Sequence, residues 1–316
     1  MNGIIRPYRP GDESAVLRVW NAALAVDPIS QMTWRTKVLL DPNFLPEGCH
    51  VAEVDGEVRG FMLSITRQVP FLSDGLQLDQ AWLTAFGVAP EWQRRGLGGA
   101  LLDATLERLR GLGVATVSFA TYVPNYFTPG IDVHAYAPAV SFLTRRGFAV
   151  VSRPLSMRVE LTGFRAPTPI AEVAAKLAGE GLEARPVEPT DIVPLLTFIR
   201  ERFPQDWYRE TSGKLTDLFG GDPRHVGVVV ARLNGGVVGY AEHRMERFGP
   251  FGVDPELRRR GIGSVLLATT LAEMLKKGFH VAWFMSTDDD AARLYARCGF
   301  RETRRYAALR LLLQQS

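Results

Sequence analysis

The sequence predicts two tandem copies of one α/β layered domain, each with helices packed on a sheet. Three observations carry this. A length of 316 residues suits two domains at about 150 residues each. Four sequence blocks recur in the same order in both halves. Within each half, β-rich runs alternate with runs of helical periodicity, the pattern of helices layered on a sheet. Composition agrees, since 46% hydrophobic and 22% charged residues can build cores and exclude a disordered chain.

The repeat begins with RPYRPGD at 6–12, which matches RPVEPTD at 185–191, an offset of 179. The same offset aligns GEVRGF at 56–61 with GGVVGY at 235–240. VAPEWQRRGLGGALLDATL at 88–106 then matches VDPELRRRGIGSVLLATTL at 253–271, at an offset of 165. RRGF at 145–148 matches RCGF at 297–300, at 152. The falling offset places 14 extra residues around 67–80 and 13 around 122–135 in the first half. Both insertions are rich in Pro, Gly, Asp and aromatics and are expected as loops. The expected division is 1–162, a connector at 163–181 with a short helix over 170–178, and 182–316.

The second half shows the element order clearly. A strand is expected over 183–187, followed by helices over 191–202 and 207–219, broken at Pro204. Two β-rich runs, 226–232 and 237–244, flank Asn234-Gly235, a strong hairpin signal. A short strand follows over 248–253. The 260–277 run spaces Val265, Leu266, Leu271 and Leu275 as one helix and stops at Gly278. A continuous apolar run at 281–286 is expected as a buried strand, 291–297 as a helix and 306–313 as a last strand.

The chemistry lies in the duplicated strand–turn–helix. In the first half, Val88 ends a strand, and Gln93, Arg94, Arg95, Gly96, Leu97, Gly98 and Gly99 lead into a helix. In the second, Val253 precedes Arg258, Arg259, Arg260, Gly261, Ile262, Gly263 and Ser264. A helix N-terminus offers unpaired N–H groups and partial positive charge, and alternate glycines let a pyrophosphate reach the backbone. A dinucleotide fingerprint fails because Leu101 and Leu266 stand where its third Gly belongs, and no Gly-Lys-Ser/Thr closes a P-loop. A pyrophosphate cradle of another type remains.

The run V-x-P-x-x-[QR]-R-R-G-x-G-x-x-L-L, followed by a buried strand and a helix ending in Gly-Phe, resembles the GNAT superfamily of acetyl-CoA-dependent N-acetyltransferases. The resemblance covers nearly all of both halves, as in the tandem arrangement of mycothiol synthases. It implies two domains, each a mixed, mostly antiparallel sheet that opens between its fourth and fifth strands. Acetyl-CoA would enter there as cosubstrate, with its pyrophosphate on the turn and Asp288 beside it. In such proteins a tyrosine four residues before the Gly-Phe often protonates the departing thiolate. In the second half that residue is Tyr295, whereas the first half has Leu143. The resemblance therefore implies a catalytic second half and a degenerate first, with Tyr136 and Tyr126 as possible substitutes there.

Deprotonating an amine needs a carboxylate or His near the opening, and Glu242, His243 and Glu246 follow the 237–241 strand. Neighbouring strand residues face opposite sides, so Glu242 and His243 cannot both serve. The expected reaction is direct acetyl transfer to a primary amine, of a small molecule or alternatively of a peptide. A non-catalytic acyl-CoA-binding module is the rival from another class. A net charge of +3, with only five lysines, gives no case for nucleic acid. Cys49 and Cys298 lie far apart without ligand-spaced neighbours, which argues against a disulfide framework or metal site and points to a reducing cytoplasm. No apolar run reaches 18 residues, so no membrane partner is expected.

Overall fold

The computed structural model describes residues 3–313. It divides into two compact units, Met1–Arg153 with Tyr306–Ser316, and Pro154–Arg305. Among the described residues, no helix is long and apolar enough to cross a membrane.

In the first unit the elements run β1 (Gly3–Pro7), α1 (Glu13–Ala23) and α2 (Gln31–Trp34), which continues as a π-helical turn over Arg35–Leu39. Next come β2 (Cys49–Val54), β3 (Glu57–Ile65), β4 (Gln80–Val88), α3 (Leu97–Gly111) and β5 (Thr116–Phe119). They are followed by β6 (Ile131–Asp132), α4 (Ala137–Arg145) and β7 (Ala149–Ser152). Strands β1 to β4 pair antiparallel in sequence order, and β4 pairs with β5 in parallel. Side-chain alternation along the strands sorts two cores. Ala52, Met62, Leu83 and Val117 face Leu101, Leu102 and Leu109 of α3. Val51, Phe61, Leu63 and Trp82 face Val16 and Trp20 of α1 and Trp34 of α2.

The second unit repeats this plan. It holds β8 (Leu155–Glu160), α5 (Thr168–Gly179), β9 (Leu182–Pro186), α6 (Ile192–Arg202), α7 (Gln205–Gly220), β10 (Val226–Leu233) and β11 (Gly236–Arg244). Then follow β12 (Arg247–Val253), α8 (Ile262–Lys276), β13 (Val281–Thr287), α9 (Asp289–Ala296) and β14 (Arg301–Leu312). The β10–β11 turn has Asn234 and Gly235 both at positive φ, +50° and +85°, the primed turn that the dipeptide predicts. Helices α6 and α7 cover Val228, Val230 and Tyr240, while α5, α8 and α9 cover Val229, Ala231 and Ala241.

The units depart from the linear division in one respect. The repeat sets 149–160 opposite 301–312, and each of these terminal strands is split between units. Strand β7 stays in the first unit and β8, beyond Pro154, pairs with β13 in the second. Residues 301–305 of β14 pair with β8, whereas 306–312 pair with β5, β6 and β7. Strand β14 therefore begins five residues before its expected start, directly after Phe300. Hydrophobic pattern specifies a strand but not the sheet that receives it. The 67–80 insertion is a loop with one short 3-10 turn, while the 122–135 insertion also contains β6, which pairs with Tyr306 and Ala307.

The repeated RP-D block is a structural clasp. Arg6 reaches Asp12 at 2.7 Å, and Arg185 reaches Asp191 at 2.6 Å. Asp191 is fully buried and also accepts from Arg232 and from the Glu188 amide. Burial works against its charge, but these donors outweigh it and hold the carboxyl down at about 2. A depressed folded-state pKa contributes stability that is present above the unfolded value of about 4 and is lost as pH falls towards 2. Asp191→Ala should cost about 2 kcal/mol at pH 7, and the difference from the parent should shrink across that acid window. Equal thermal melts for the two proteins at pH 7 would refute the clasp.

Candidate active site

In the first unit, β4 and β5 pair from Gln80↔Thr116 to Leu83↔Phe119 and then part. Strand β3 opposes β4 with a register shift at this point, leaving Thr84 as the extra residue of a bulge. A bulge bends its strand and re-aims the next residues. Beyond it, β4 continues alone on that side to Val88, and a cleft of about 600 Å³ opens there. One lip is 84–88. The other is Phe119, the 127–131 part of the insertion, and α4 with Tyr136, Phe142 and Arg145. Trp20, Ala23, Leu24 and Asp27, on and after α1, close one end.

The glycine turn forms the other end. Gln93, Arg94, Gly96, Gly98 and Gly99 line the cleft, together with Val88. Gly96 caps α3 at φ +90°, in the left-handed region that glycine tolerates, and a Cβ there would meet nothing within 4 Å. Gly98 touches only Val88 and Phe142, at 3.8 and 4.0 Å from a Cβ position. The first turn of α3 therefore borders the open cleft, which Arg94 and Arg145 also line. That combination suits a phosphate group. Arg95 and Leu97 do not line the cleft: Arg95 stacks on Trp92, 4.9 Å from its ring centroid, and Leu97 packs into the core.

The second turn has the same backbone but no open space. Gly261 repeats the left-handed cap at φ +93°, yet a Cβ there would fall 2.5 Å from Val173 of α5. Ile262 and Ser264 are buried, and Gly263 is walled by Leu294, Phe251 and Val253. Arg260 is ion-paired to Glu180, and Arg258 and Arg259 are exposed. Strands β12 and β13 pair only at Arg247↔Trp283, so the sheet does open. Aromatic rings fill the gap. Tyr295 sits 4.4 Å from Phe284, 5.5 Å from Phe300, 5.9 Å from Phe251 and 6.0 Å from Phe248, centroid to centroid.

The residues expected to carry chemistry in the second half occupy the following positions. Tyr295 is a core side chain, and burial raises its hydroxyl pKa well above the ordinary value. Its counterpart Leu143 is fully buried too, so this helix position faces the core in both units. Glu242 is fully buried beneath α7, with Lys214 Nζ 2.5 Å away. Burial pushes its carboxyl up, against the pull of Lys214. His243 faces the opposite side, against Phe279, as alternation requires. Burial lowers it to about 4, and its Nδ1 lies 2.9 Å from the Met245 carbonyl. Glu246 lies in the β11–β12 turn, where its carbonyl accepts from Trp283. Asp288 caps α9, accepting from the Ala291 amide at 2.7 Å. None of these lines the open cleft.

Several cleft residues were not singled out in the sequence: Trp20, Asp27, Thr84, Phe119 and Arg145. The sequence carries a signal only for the wall formed by the insertion, namely the falling offset. The 13 residues extra to the first half run along the opening and supply Phe127, Thr128, Gly130 and Ile131 to its wall.

A layered sheet opening beside a glycine-capped helix, found twice in one chain, defines an acyl-CoA type of acyltransferase fold. The sequence profile of the acetyltransferase (GNAT) family matches residues 20–136 and 192–300, and the chain belongs to that family. Members use acetyl-CoA as cosubstrate. The chain is 29% identical over 160 residues to the mycothiol acetyltransferase of Streptomyces bingchenggensis, covering 49% of this chain and 46% of that protein. It is 38% identical over 120 residues to that of Stackebrandtia nassauensis, covering 36% and 37%. The chain thus spans less than half the length of these curated relatives. A tandem GNAT protein from the clavulanic acid biosynthesis pathway shares its fold over 100% of both chains, with a TM-score of 0.63 and 18% identity.

Proposed function

We propose that the first unit is the catalytic one, transferring an acetyl group from acetyl-CoA to the primary amine of a small molecule. The observation that carries this reading is the cleft of about 600 Å³ running from the glycine turn to the gap between β4 and β5, against a ring-filled gap in the second unit. The cofactor fits the residues present: amides at the α3 N-terminus and the Arg94 and Arg145 guanidiniums would take its phosphates. When bound, acetyl-CoA supplies a thioester whose acetyl carbon is transferred to the amine as the sulfur leaves.

The chain's own groups handle the protons. Asp27 is the carboxylate of the cleft and would take the amine's proton, directly or through one water. Tyr136 is the tyrosine of the cleft and would protonate the departing sulfur. Trp20, Ala23, Leu24 and Phe127 form an apolar wall at the Asp27 end. That wall favours an amine on an apolar body over a highly charged peptide. No side chain placed as a nucleophile lines the cleft among the described residues, in keeping with direct attack.

Titration of acetyl-CoA into the protein by calorimetry should give one site per chain. Two equal sites would show that the second turn still binds and would overturn the division of labour. An absence of binding to folded protein would overturn the reading as a whole.

A further inference from the structure

The second unit has a cavity that the proposed chemistry does not use. It is an open pocket of about 290 Å³ lined by Arg209, Glu210, Gly213 and Lys214 of α7, with Arg244, Arg247 and Gly249 of the β11–β12 hairpin. Four cations face it, with Glu210 as the carboxylate among the lining residues. Lys214 is 94% buried by side-chain exposure of 6%, and it pairs with Glu242 beneath the cavity and with Glu210 at 3.4 Å. Arg209 turns to Asp206 and Arg244 to Asp217, neither of which lines the cavity. Arg247 has no ion-pair partner among the described residues.

The register makes this arrangement unfavourable when empty. Arg244 and Arg247 stand directly opposite each other at the end of the antiparallel hairpin. Like charges in that position repel. An anion between them would convert the repulsion into two charge-assisted contacts, Arg244 offering N–H groups that Asp217 does not use and Arg247 its whole guanidinium. The repeat explains how the space arose. At the 165 offset Arg247 stands where the first unit has Trp82, which is buried against Tyr122 and Arg67. Gly249 stands where that unit has the cleft residue Thr84, and a Cβ at Gly249 would meet nothing within 4 Å.

We propose that this cavity is a binding site for a small anion, a carboxylate or phosphate group carried on a small molecule, separate from the acetyl-transfer cleft. The test titrates inorganic phosphate and, separately, succinate into the full chain at low ionic strength, against potassium chloride of matched ionic strength. Coenzyme A is kept saturating so that the first glycine turn does not compete. At least one anion should bind saturably, and Arg247→Ala should weaken it by about tenfold or more, as expected for a lost charged contact. Arg247 is exposed and unpaired, so its loss leaves the fold intact. Saturation by phosphate alone assigns a phosphoryl ligand, and by succinate alone a carboxylate. Anions that act only as chloride does, or bind Arg247→Ala as tightly as the parent, overturn the site.

Discussion

Gly98→Leu is expected to abolish acetyl-CoA binding while leaving the fold at least as stable as the parent. The two effects separate because Gly98 sits in the first turn of α3, where a helix former replaces glycine at a gain of up to about 1 kcal/mol. Its Cβ would meet Val88 and Phe142 at ordinary contact distances. The rest of the leucine must then point into the cleft, over the amides that would receive phosphate. Losing that contact should weaken binding at least about 100-fold, or roughly 2.7 kcal/mol. The same substitution at Gly263 meets Leu294, Phe251 and Val253 and should cost folding instead, since that site is already packed. An undiminished acetyl-CoA affinity in a folded Gly98→Leu protein would remove the first turn from the cofactor site.

This contrast shows what the sequence could reveal and what it could not. Blocks at fixed offsets disclosed the duplication, and helical periodicity with Asn234-Gly235 and the paired glycine turns placed nearly every element of the second half. These signals are local, set by backbone geometry within a few residues. Occlusion is not local. Val173 reaches Gly261 from 88 residues upstream, and Phe248, Phe284 and Phe300 meet Tyr295 only once β12, β13, α9 and the residue before β14 have packed. In sequence, RRRGIG and QRRGLG look equally competent. The one clue available was the 13-residue shortfall beside the second opening, which removes the wall that a cleft needs. The strand exchange was hidden for a related reason: 149–160 and 301–312 both have the pattern of a terminal strand, and that pattern fits either sheet.

The placement of the tyrosines yields a paired result. Tyr136→Phe should lower kcat by about 100-fold or more, the usual contribution of a positioned proton donor, with acetyl-CoA affinity unchanged. Tyr295→Phe should leave both values where they are. In Tyr136→Phe the ring still fills its place at the start of α4, so the only group lost is the buried hydroxyl of this cleft-lining residue. In Tyr295→Phe the ring keeps its contacts with Phe284 and Phe300, and the hydroxyl lost belongs to a filled core. Larger losses than these would have a different meaning: Tyr295→Ala should destabilise the second unit by about 3–5 kcal/mol through the cavity it leaves, without a specific effect on chemistry. The discriminating measurement is the ratio of kcat to the bound fraction for the two phenylalanine variants. If Tyr295→Phe is the slow one, the second unit opens in solution and performs the transfer, and the first cleft would have to be reassigned to holding the acceptor.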